Sequence, residues 1–433
     1  MIPTPTPTYQ KINDSVDIYT IKTKGFKTAR LSIYTMRPAH AEDSPMATLL
    51  FNILRRGTCA YPKLSLLNQR LDELYGTTLT LRNFLIGDTH VLSFTAEMLE
   101  ETYLPAPCDV LQGVMEILSE MLHNPLTDGD GGFRPDIVEQ EKISLCDSIR
   151  ADINDTRSYA SARLRRIMCQ NEPYGVSLSG SVAQIMAITP QEVTRAYAEW
   201  QRNASWAVYY TGQAPQKKVT QCFLQAFGEN LPQTAKKTPT QPHIPPKNPV
   251  FEDEDMPVEQ GKLCMSWTKT AQGKDDHAAA VVLCEMLGVM QSAIFFRTIR
   301  EQMGLCYYCD TSYEGSKGIL SLSCGIHPKN RAVTQTAVLD ILEKIRVGEL
   351  DPQDVMLSQI SLQNVYRQIP ESPASLEAYW FRHKIEGPDI PPDEMLKLLL
   401  CVTPRDVVEV ANAFVLDTVY FLNATHAEEA ELT

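Results

Sequence analysis

The residues with the clearest potential for chemistry lie in the segment 296–308, Phe-Arg-Thr-Ile-Arg-Glu-Gln-Met-Gly-Leu-Cys-Tyr-Tyr. Its pattern predicts a helix that ends at Gly304 and a strand that follows, with Arg300 near the helix end and Tyr307 at the strand start. A guanidinium and a phenol brought together by such a turn can hold a peptide carbonyl and stabilise developing negative charge. On these residues alone, the favoured interpretation is still a capped helix whose Arg300 forms a surface ion pair.

The spacing of histidines and cysteines predicts neither a metal site nor a redox site. A helical zinc site needs two ligands one turn apart, but the two closest of the eight histidines are His90 and His123, 33 residues apart. Cys306 and Cys309 form a Cys-x-x-Cys, yet their flanks predict a strand, in which residues three apart face opposite ways. A zinc site there would also need a second cysteine pair, which the sequence lacks.

The elements that must position these residues occur twice. Residues 71–76 and 299–304 are similar, as are 91–96 and 319–324, and both pairs are offset by 228 positions. A third pair is offset by 214 positions and keeps the order. Such a repeat indicates two homologous domains, in which a residue found in only one copy becomes a functional clue.

Each copy predicts the same elements. In 91–96 and 319–324 apolar residues alternate with Ser or Thr, which predicts a strand with one buried face. A one-sided apolar helix follows, and Thr189 and Thr403, each before a proline, predict later helix starts. The fold class is therefore predicted as α+β: two homologous domains, each a mostly antiparallel β-sheet covered by α-helices.

Composition sets the domain boundaries and excludes several partners. Residues 231–257 hold seven prolines and an acidic run, so we expect a linker between an N-terminal domain, 1–230, and a C-terminal domain, 258–433. The net charge of −13 argues against nucleic acid or anionic lipid as a partner. With no secretory signal, no membrane-length apolar run and eleven scattered cysteines, we expect no membrane association and a cytoplasmic protein.

Residues 299–307, Ile-Arg-Glu-Gln-Met-Gly-Leu-Cys-Tyr, resemble the Ile-Arg-Glu-x-x-Gly-Leu-x-Tyr block of the insulinase/pitrilysin metallopeptidase family, which includes the mitochondrial processing peptidases. The resemblance extends over essentially the whole chain, including its duplication. The segments 71–76 and 159–163 are most similar to the YmfF-type, non-catalytic branch. This resemblance implies a duplicated metallopeptidase-like fold.

Active members of that family are zinc endopeptidases with a His-x-x-Glu-His motif shortly before a Gly-Thr. Aligned on the Gly-Thr of this chain, at 57–58, the motif falls on Thr48, Phe51 and Asn52, and the third zinc ligand falls on Ser148. Phenylalanine cannot activate water, and threonine with asparagine makes a poor zinc pair. The resemblance therefore implies that this chain supplies no catalytic residue and binds no cofactor itself, with zinc expected on a partner subunit.

The substrate-binding pair of the family is kept, at Arg300 and Tyr307, while the first copy has Asp72 where the second has Arg300. We therefore expect a non-catalytic subunit that binds a peptide or an unfolded polypeptide. Its expected partner is a homologous peptidase subunit that carries the zinc. One alternative is a non-proteolytic scaffold or accessory protein, for example for elongation-factor modification. Another is a lone hydrolase with unconventional ligands such as His40, Glu141 or Asp147.

Overall fold

The computed structural model describes residues 4–228, 230–235, 239–270, 276–387 and 389–425. Its backbone contacts divide the chain into two compact units. Unit 1 contains Met1–Ala151, Val176–Pro239 and Ile369–Asp389, and unit 2 contains Asp152–Gly175, Thr240–Gln368 and Ile390–Thr433. Each unit therefore combines segments that are distant in the sequence.

Unit 1 is built on a sheet whose described strands run in the order β1-β2-β6-β3-β5-β4. Neighbours pair antiparallel except β2 and β6, which are parallel. Strand β4 lies at one edge, so one side of its backbone has no strand partner within the described sheet. The strands are β1 Thr8–Lys11, β2 Val16–Lys22, β3 Thr28–Pro38, β4 Thr78–Ile86, β5 Thr89–Leu99 and β6 Ser205–Gly212.

Unit 2 repeats this arrangement with the described strand order β7-β11-β8-β10-β9. Strands β7 and β11 are parallel, and the other neighbours are antiparallel. The acidic run expected in the linker lies in β7, and β9 occupies the edge that corresponds to β4. The strands are β7 Val250–Met256, β8 Gly261–Lys269, β9 Cys306–Glu314, β10 Ile319–Ile326 and β11 Phe414–Ala424.

Helices cover both sheets, which confirms the predicted fold class. In the first copy they are α1 Asp43–Leu54, α2 Leu64–Glu73, α3 Val110–His123, α4 Pro135–Ala151, α5 Thr156–Met168, α6 Val182–Ala187, α7 Pro190–Asn203 and α8 Gln216–Phe227. In the second copy they are α9 His277–Cys284, α10 Arg331–Arg346, α11 Pro352–Gln368, α12 Pro373–Glu386, α13 Pro392–Cys401 and α14 Pro404–Ala413, with π-helical segments at Glu285–Val289 and Phe296–Gln302. No helix in the described part of the chain is both long and apolar enough to cross a bilayer.

Local sequence signals make equivalent helices begin and end in the same way in the two copies. Thr189 and Thr403 each cap a helix, as predicted, and each also forms a capping box with the residue three positions later. Gly76 and Gly304, which follow equivalent helices, have φ of +73° and +63°. This left-handed conformation is the one that favours glycine, so the two helices can turn sharply into β4 and β9.

Helices α5 and α12 hold the same place in the two copies, but each packs in the unit that is built mainly from the other copy. Both follow a 17-residue helix that starts at a proline. Helix α5 belongs to unit 2, where it contacts β8 and β11, and α12 belongs to unit 1, where it contacts β3 and β6. The compact units thus differ from the contiguous ranges 1–230 and 258–433, because each includes a helix exchanged between the copies.

The exchanged α12 changes the environment of β5. The prediction that this strand buries only one face was wrong, because Ser93 and Thr95 on the polar face are only 3% and 2% exposed. Thr95 contacts Ser32 of β3 at 2.9 Å between their hydroxyls, and the Ser32 hydroxyl donates to Glu377 of α12 at 2.5 Å. A serine- and threonine-lined face that looks solvated in the sequence is therefore covered by a polar helix contact.

Candidate functional site

Thr48, which stands where the first zinc histidine would be, is bound into a hydrogen-bond network within unit 1. Its hydroxyl donates to the Leu178 carbonyl at 2.7 Å and accepts from Asn83 Nδ2 at 2.8 Å. The Asn83 side-chain oxygen lies 2.6 Å from His90 Nε2 and accepts a hydrogen bond from it. Burial, reinforced by the nearby Arg37 guanidinium, lowers the pKa of His90 to about 3, so this imidazole is neutral at physiological pH.

Phe51, which stands where the catalytic glutamate would be, is part of the hydrophobic core. It is 2% exposed, and its ring meets Phe94 of β5 edge-on with the centroids 5.4 Å apart. Aromatic pairs in this orientation are favourable beyond the area they bury. The position therefore contributes packing and has no group that could accept a proton from water.

Asn52 and Ser148, the remaining two positions of the lost motif, line one cavity of about 860 Å³ in unit 1. The cavity also borders β4 at Thr78 and Leu79. Inside it, Arg56 Nε donates to Glu141 of α4, whose side chain is 7% exposed. A guanidinium thus neutralises the buried carboxylate of the region where a zinc ion would be expected, and a positive charge there opposes cation binding.

The unconventional ligands considered for a lone hydrolase do not converge. Glu141 is engaged by Arg56, Asp147 forms an exposed ion pair with Arg150 at 2.8 Å, and His40 is exposed. Among the described residues, no group of metal-ligating side chains contains any of these three candidates. The geometry gives no support to catalysis by this set.

Arg300 and Tyr307 lie where the sequence predicted them, at the end of the helical segment Phe296–Gln302 and near the start of β9. Tyr307 is 62% exposed, and the Arg300 guanidinium stacks on the Phe296 ring at 4.6 Å from its centroid. Within the described residues neither side chain makes a hydrogen bond or an ion pair, so the surface ion pair expected for Arg300 is not formed there. The two polar groups are therefore available to a ligand.

A bulge in β9 places Tyr307 on the surface. Strand β10 pairs Ile326 with Cys306 but the preceding Gly325 with Tyr308, so one residue of β9 is left over. Cys306 and Cys309 consequently face the same way, and both are buried. The prediction that they face opposite sides was wrong, because strand alternation does not hold across a bulge. Cys309 Sγ lies 2.7 Å from Cys324 Sγ on the neighbouring strand.

One cluster was missed by the sequence analysis. In unit 2 the ligand atoms of Cys169, Glu172 and His243 lie within 4.8 Å of one another. His243 is 74 residues from Cys169 and falls in the expected linker, so no spacing rule identifies the pair. The available signal was a lone histidine among the prolines of that segment.

The comparisons with known proteins agree with this geometry. A family model described as "Peptidase M16 inactive domain" matches residues 187–362. The chain is 27% identical over 408 residues to the "Probable inactive metalloprotease YmfF" of Bacillus subtilis (strain 168), and the match covers 94% of this chain and 95% of that protein.

Solved structures share the fold. A conserved protein from Enterococcus faecalis V583 superimposes with a TM-score of 0.89 at 21% identity, covering 97% of this chain and 99% of that one. A protease from Helicobacter pylori has a TM-score of 0.78 at 13% identity, covering 97% and 100%. The likeness to these structures shows the fold, while the matched family model and the Bacillus relative of nearly equal length show that the chain is similar to M16 peptidases described as inactive.

Proposed function

We propose that this chain is the non-catalytic subunit of an M16-type zinc protease. It binds peptide substrate and pairs with a homologous subunit that carries His-x-x-Glu-His and the zinc ion. The observation that supports this most directly is a contrast between two sites. Thr48 and Phe51 make internal contacts, whereas Arg300 and Tyr307 are exposed and have no polar partner within the described residues.

The chemistry of Arg300 and Tyr307 fits an extended polypeptide. The guanidinium can donate to a peptide carbonyl or a terminal carboxylate, and the phenol can donate beside it. Tyr307 lies on β9, the edge strand of the described sheet, and an edge strand can pair with an added strand. An unfolded segment can align along such an edge, which makes an unfolded polypeptide the favoured substrate class.

A partner surface is supported by apolar side chains on two neighbouring helices of unit 2. Met356 and Ile360 of α11 are 52% and 48% exposed, and Leu398 of α13 is 52% exposed. Gln359 of α11 donates to the carbonyls of Leu399 and Leu400, so the two helices are held side by side. Grouped exposed apolar side chains are typical of protein interaction sites.

The test combines the purified chain with a homologous subunit that carries His-x-x-Glu-His and measures cleavage of an unfolded peptide. The pair is expected to cleave, while this chain alone does not. Arg300→Ala should lower kcat/KM of the pair by about tenfold or more, because a charge-assisted contact to the reacting carbonyl is lost. Arg405→Ala, an exposed arginine on α14, is the control and should leave the rate unchanged.

Two results would contradict the proposal. Zinc-dependent cleavage by this chain alone would show that it carries a catalytic site of its own. Unchanged kcat/KM in the Arg300→Ala pair would remove the substrate-binding role of that residue.

A second candidate function is a non-proteolytic scaffold, which the apolar face of α11 and α13 supports without any role for Arg300. Affinity capture from extract, with identification by mass spectrometry, separates the two functions. Recovery of an enzyme outside the family, with no zinc-bearing homologue and with loss of capture in Met356→Glu/Ile360→Glu, would favour the scaffold. Recovery of a zinc-bearing homologue would favour the protease subunit.

A further inference from the structure

Three potential metal ligands converge in unit 2, remote in sequence from the lost zinc motif. His243 Nδ1 lies 2.5 Å from Glu172 Oε1 and 3.8 Å from Cys169 Sγ. Cys169 is 1% exposed and His243 is 6% exposed, while about a quarter of the Glu172 side chain is open to solvent. The cluster is therefore buried but can be reached by a small ion along the Glu172 side.

The outer contacts orient these donors. His243 Nε2 lies 3.1 Å from Asp417 Oδ2, and Asp417 is fully buried. Asp417 is fixed in turn by the hydroxyls of Thr268 and Thr418, which donate to it at 2.7 and 2.8 Å. With Nε2 held by this carboxylate, the other nitrogen, Nδ1, is directed towards Glu172 and Cys169, which is the usual outer arrangement of histidine metal ligands.

Glu172 is held in a comparable way. Its second oxygen, Oε2, lies 2.7 Å from the ammonium of Lys317, a side chain that is 1% exposed. Lys317 also accepts a hydrogen bond at its carbonyl from the His243 backbone N–H at 2.9 Å. The same residue thus orients the carboxylate and fixes the segment that carries the histidine.

The backbone brings Cys169 and Glu172 onto one turn. Cys169 ends α5, and the Glu172 N–H donates back to the Cys169 carbonyl at 2.9 Å. A side chain at Gly175 would place its Cβ 2.1 Å from that carbonyl oxygen, so only glycine permits this close turn. The two ligands are positioned by a rigid turn at the end of the exchanged helix.

We propose that Cys169, Glu172 and His243 bind one zinc ion, with Asp417 and Lys317 as the outer hydrogen-bonding partners. Thiolate, imidazole and carboxylate are the donors that Zn²⁺ prefers, and three protein ligands leave a fourth position for water. The negative charges of the Cys169 thiolate and the Glu172 carboxylate offset the two positive charges of the ion. The opposite charges of Asp417 and Lys317 cancel in the sum. The ion would tie the end of α5 to the segment that enters β7.

The site is independent of the proposed protease function, because none of its residues coincides with Thr48, Phe51, Asn52 or Ser148. Its test therefore uses binding by the isolated full-length chain, without any assay of cleavage. The alternative for the same geometry is a metal-free ion pair of His243 with the two carboxylates, in which Cys169 binds nothing.

The experiment titrates metal-free full-length protein with Co²⁺, a spectroscopic substitute for Zn²⁺. One equivalent should bind, produce a thiolate-to-cobalt charge-transfer band and be displaced by Zn²⁺. Cys169→Ser should remove the band and weaken Zn²⁺ binding by at least about tenfold. Cys401→Ser, which alters an exposed thiol of the same unit, should leave both unchanged.

Circular dichroism establishes whether each variant is folded. Glu172→Gln, at the partly exposed ligand, is the second variant and should weaken Zn²⁺ binding while the thiolate band remains. The wild-type spectrum is decisive even if Cys169→Ser does not fold. Failure of the wild-type chain to bind one equivalent, or binding without a thiolate band, would overturn the zinc site in favour of the ion pair.

Discussion

Glu377 of α12 accepts a hydrogen bond from the Tyr34 hydroxyl of β3 at 2.7 Å, although the two residues are 343 positions apart in the sequence. The same carboxylate oxygen accepts from Ser32 Oγ and from Arg30 Nε, and the Glu377 side chain is fully buried. Next to it Phe381 stacks on the Tyr34 ring, with the centroids 3.6 Å apart. The exchanged helix is thus held in unit 1 by charged and aromatic contacts together.

Replacing Glu377 should destabilise the protein strongly. Glu377→Ala takes this acceptor from the Ser32 and Tyr34 hydroxyls and leaves the Arg30 guanidinium only its pair with Glu97, so we expect a loss of about 2–3 kcal/mol. Urea unfolding measures the loss as a lower midpoint. Glu409→Gln, in the exposed pair with Arg405 on α14, is the control and should change stability by less than about 1 kcal/mol. Equal midpoints for the two variants would contradict the role of Glu377.

Arg56 should stabilise the folded protein more than the neighbouring Arg55 does. Arg56→Ala leaves the nearly buried Glu141 carboxylate without its cation, with an expected cost of about 1–2 kcal/mol because the arginine itself is partly exposed. Arg55→Ala removes an exposed arginine on the same cavity wall and should be close to neutral. Chemical denaturation of both variants tests this difference, and an equal loss would show that the Arg56–Glu141 pair is not the cause.

Restoring a glutamate at the lost catalytic position should not be tolerated. Phe51→Glu removes the ring that packs on Phe94 and places a carboxylate in the core, which should cost at least about 3 kcal/mol. Phe51→Leu keeps the position apolar and should cost about 1 kcal/mol. Thermal unfolding compares the two variants. A stable Phe51→Glu protein would mean that this part of α1 can rearrange around a charge.

Acid stability should depend on His90. The folded chain holds this imidazole neutral with its pKa lowered to about 3, while the unfolded chain binds a proton near the ordinary value of 6.5. The unfolded state therefore gains protons first, so the contribution of His90 to stability is complete above pH 6.5 and is lost as the pH falls towards 3. Unfolding midpoints measured across this range should fall less steeply in His90→Gln. An identical slope in the wild type and the variant would assign the acid sensitivity to other groups.

The sequence predicted elements whose signals are local. The threonine caps at Thr189 and Thr403 and the helix-to-strand turn after Gly304 depend on residues within one or two turns of each other. The replaced zinc positions were found in the same way, by counting back from the Gly-Thr at 57–58.

What the sequence could not predict depends on tertiary contacts. No local pattern in α5 or α12 indicates which sheet the helix covers. The serines and threonines of β5 resemble a solvated face in the sequence, because the contact with Glu377 joins distant parts of the chain. The Tyr307 bulge inserts one residue that alternation cannot detect. The meeting of Cys169 with His243 depends on a turn that closes over 74 positions.

The exchange of α5 and α12 also constrains synthesis on the ribosome. When residues 1–239 have been translated, the helix that covers β3 and β6 has not yet been made, because it lies at Pro373–Glu386. Until then the polar face of the first sheet lacks the helix that covers it. Helix α5 has already been translated at this stage, but the strands that it contacts, β8 and β11, have not. If the gene is divided at the proline-rich segment, each fragment lacks an element that the other fragment supplies. Co-expression of the two halves should therefore recover the fold, whereas either half alone should not fold.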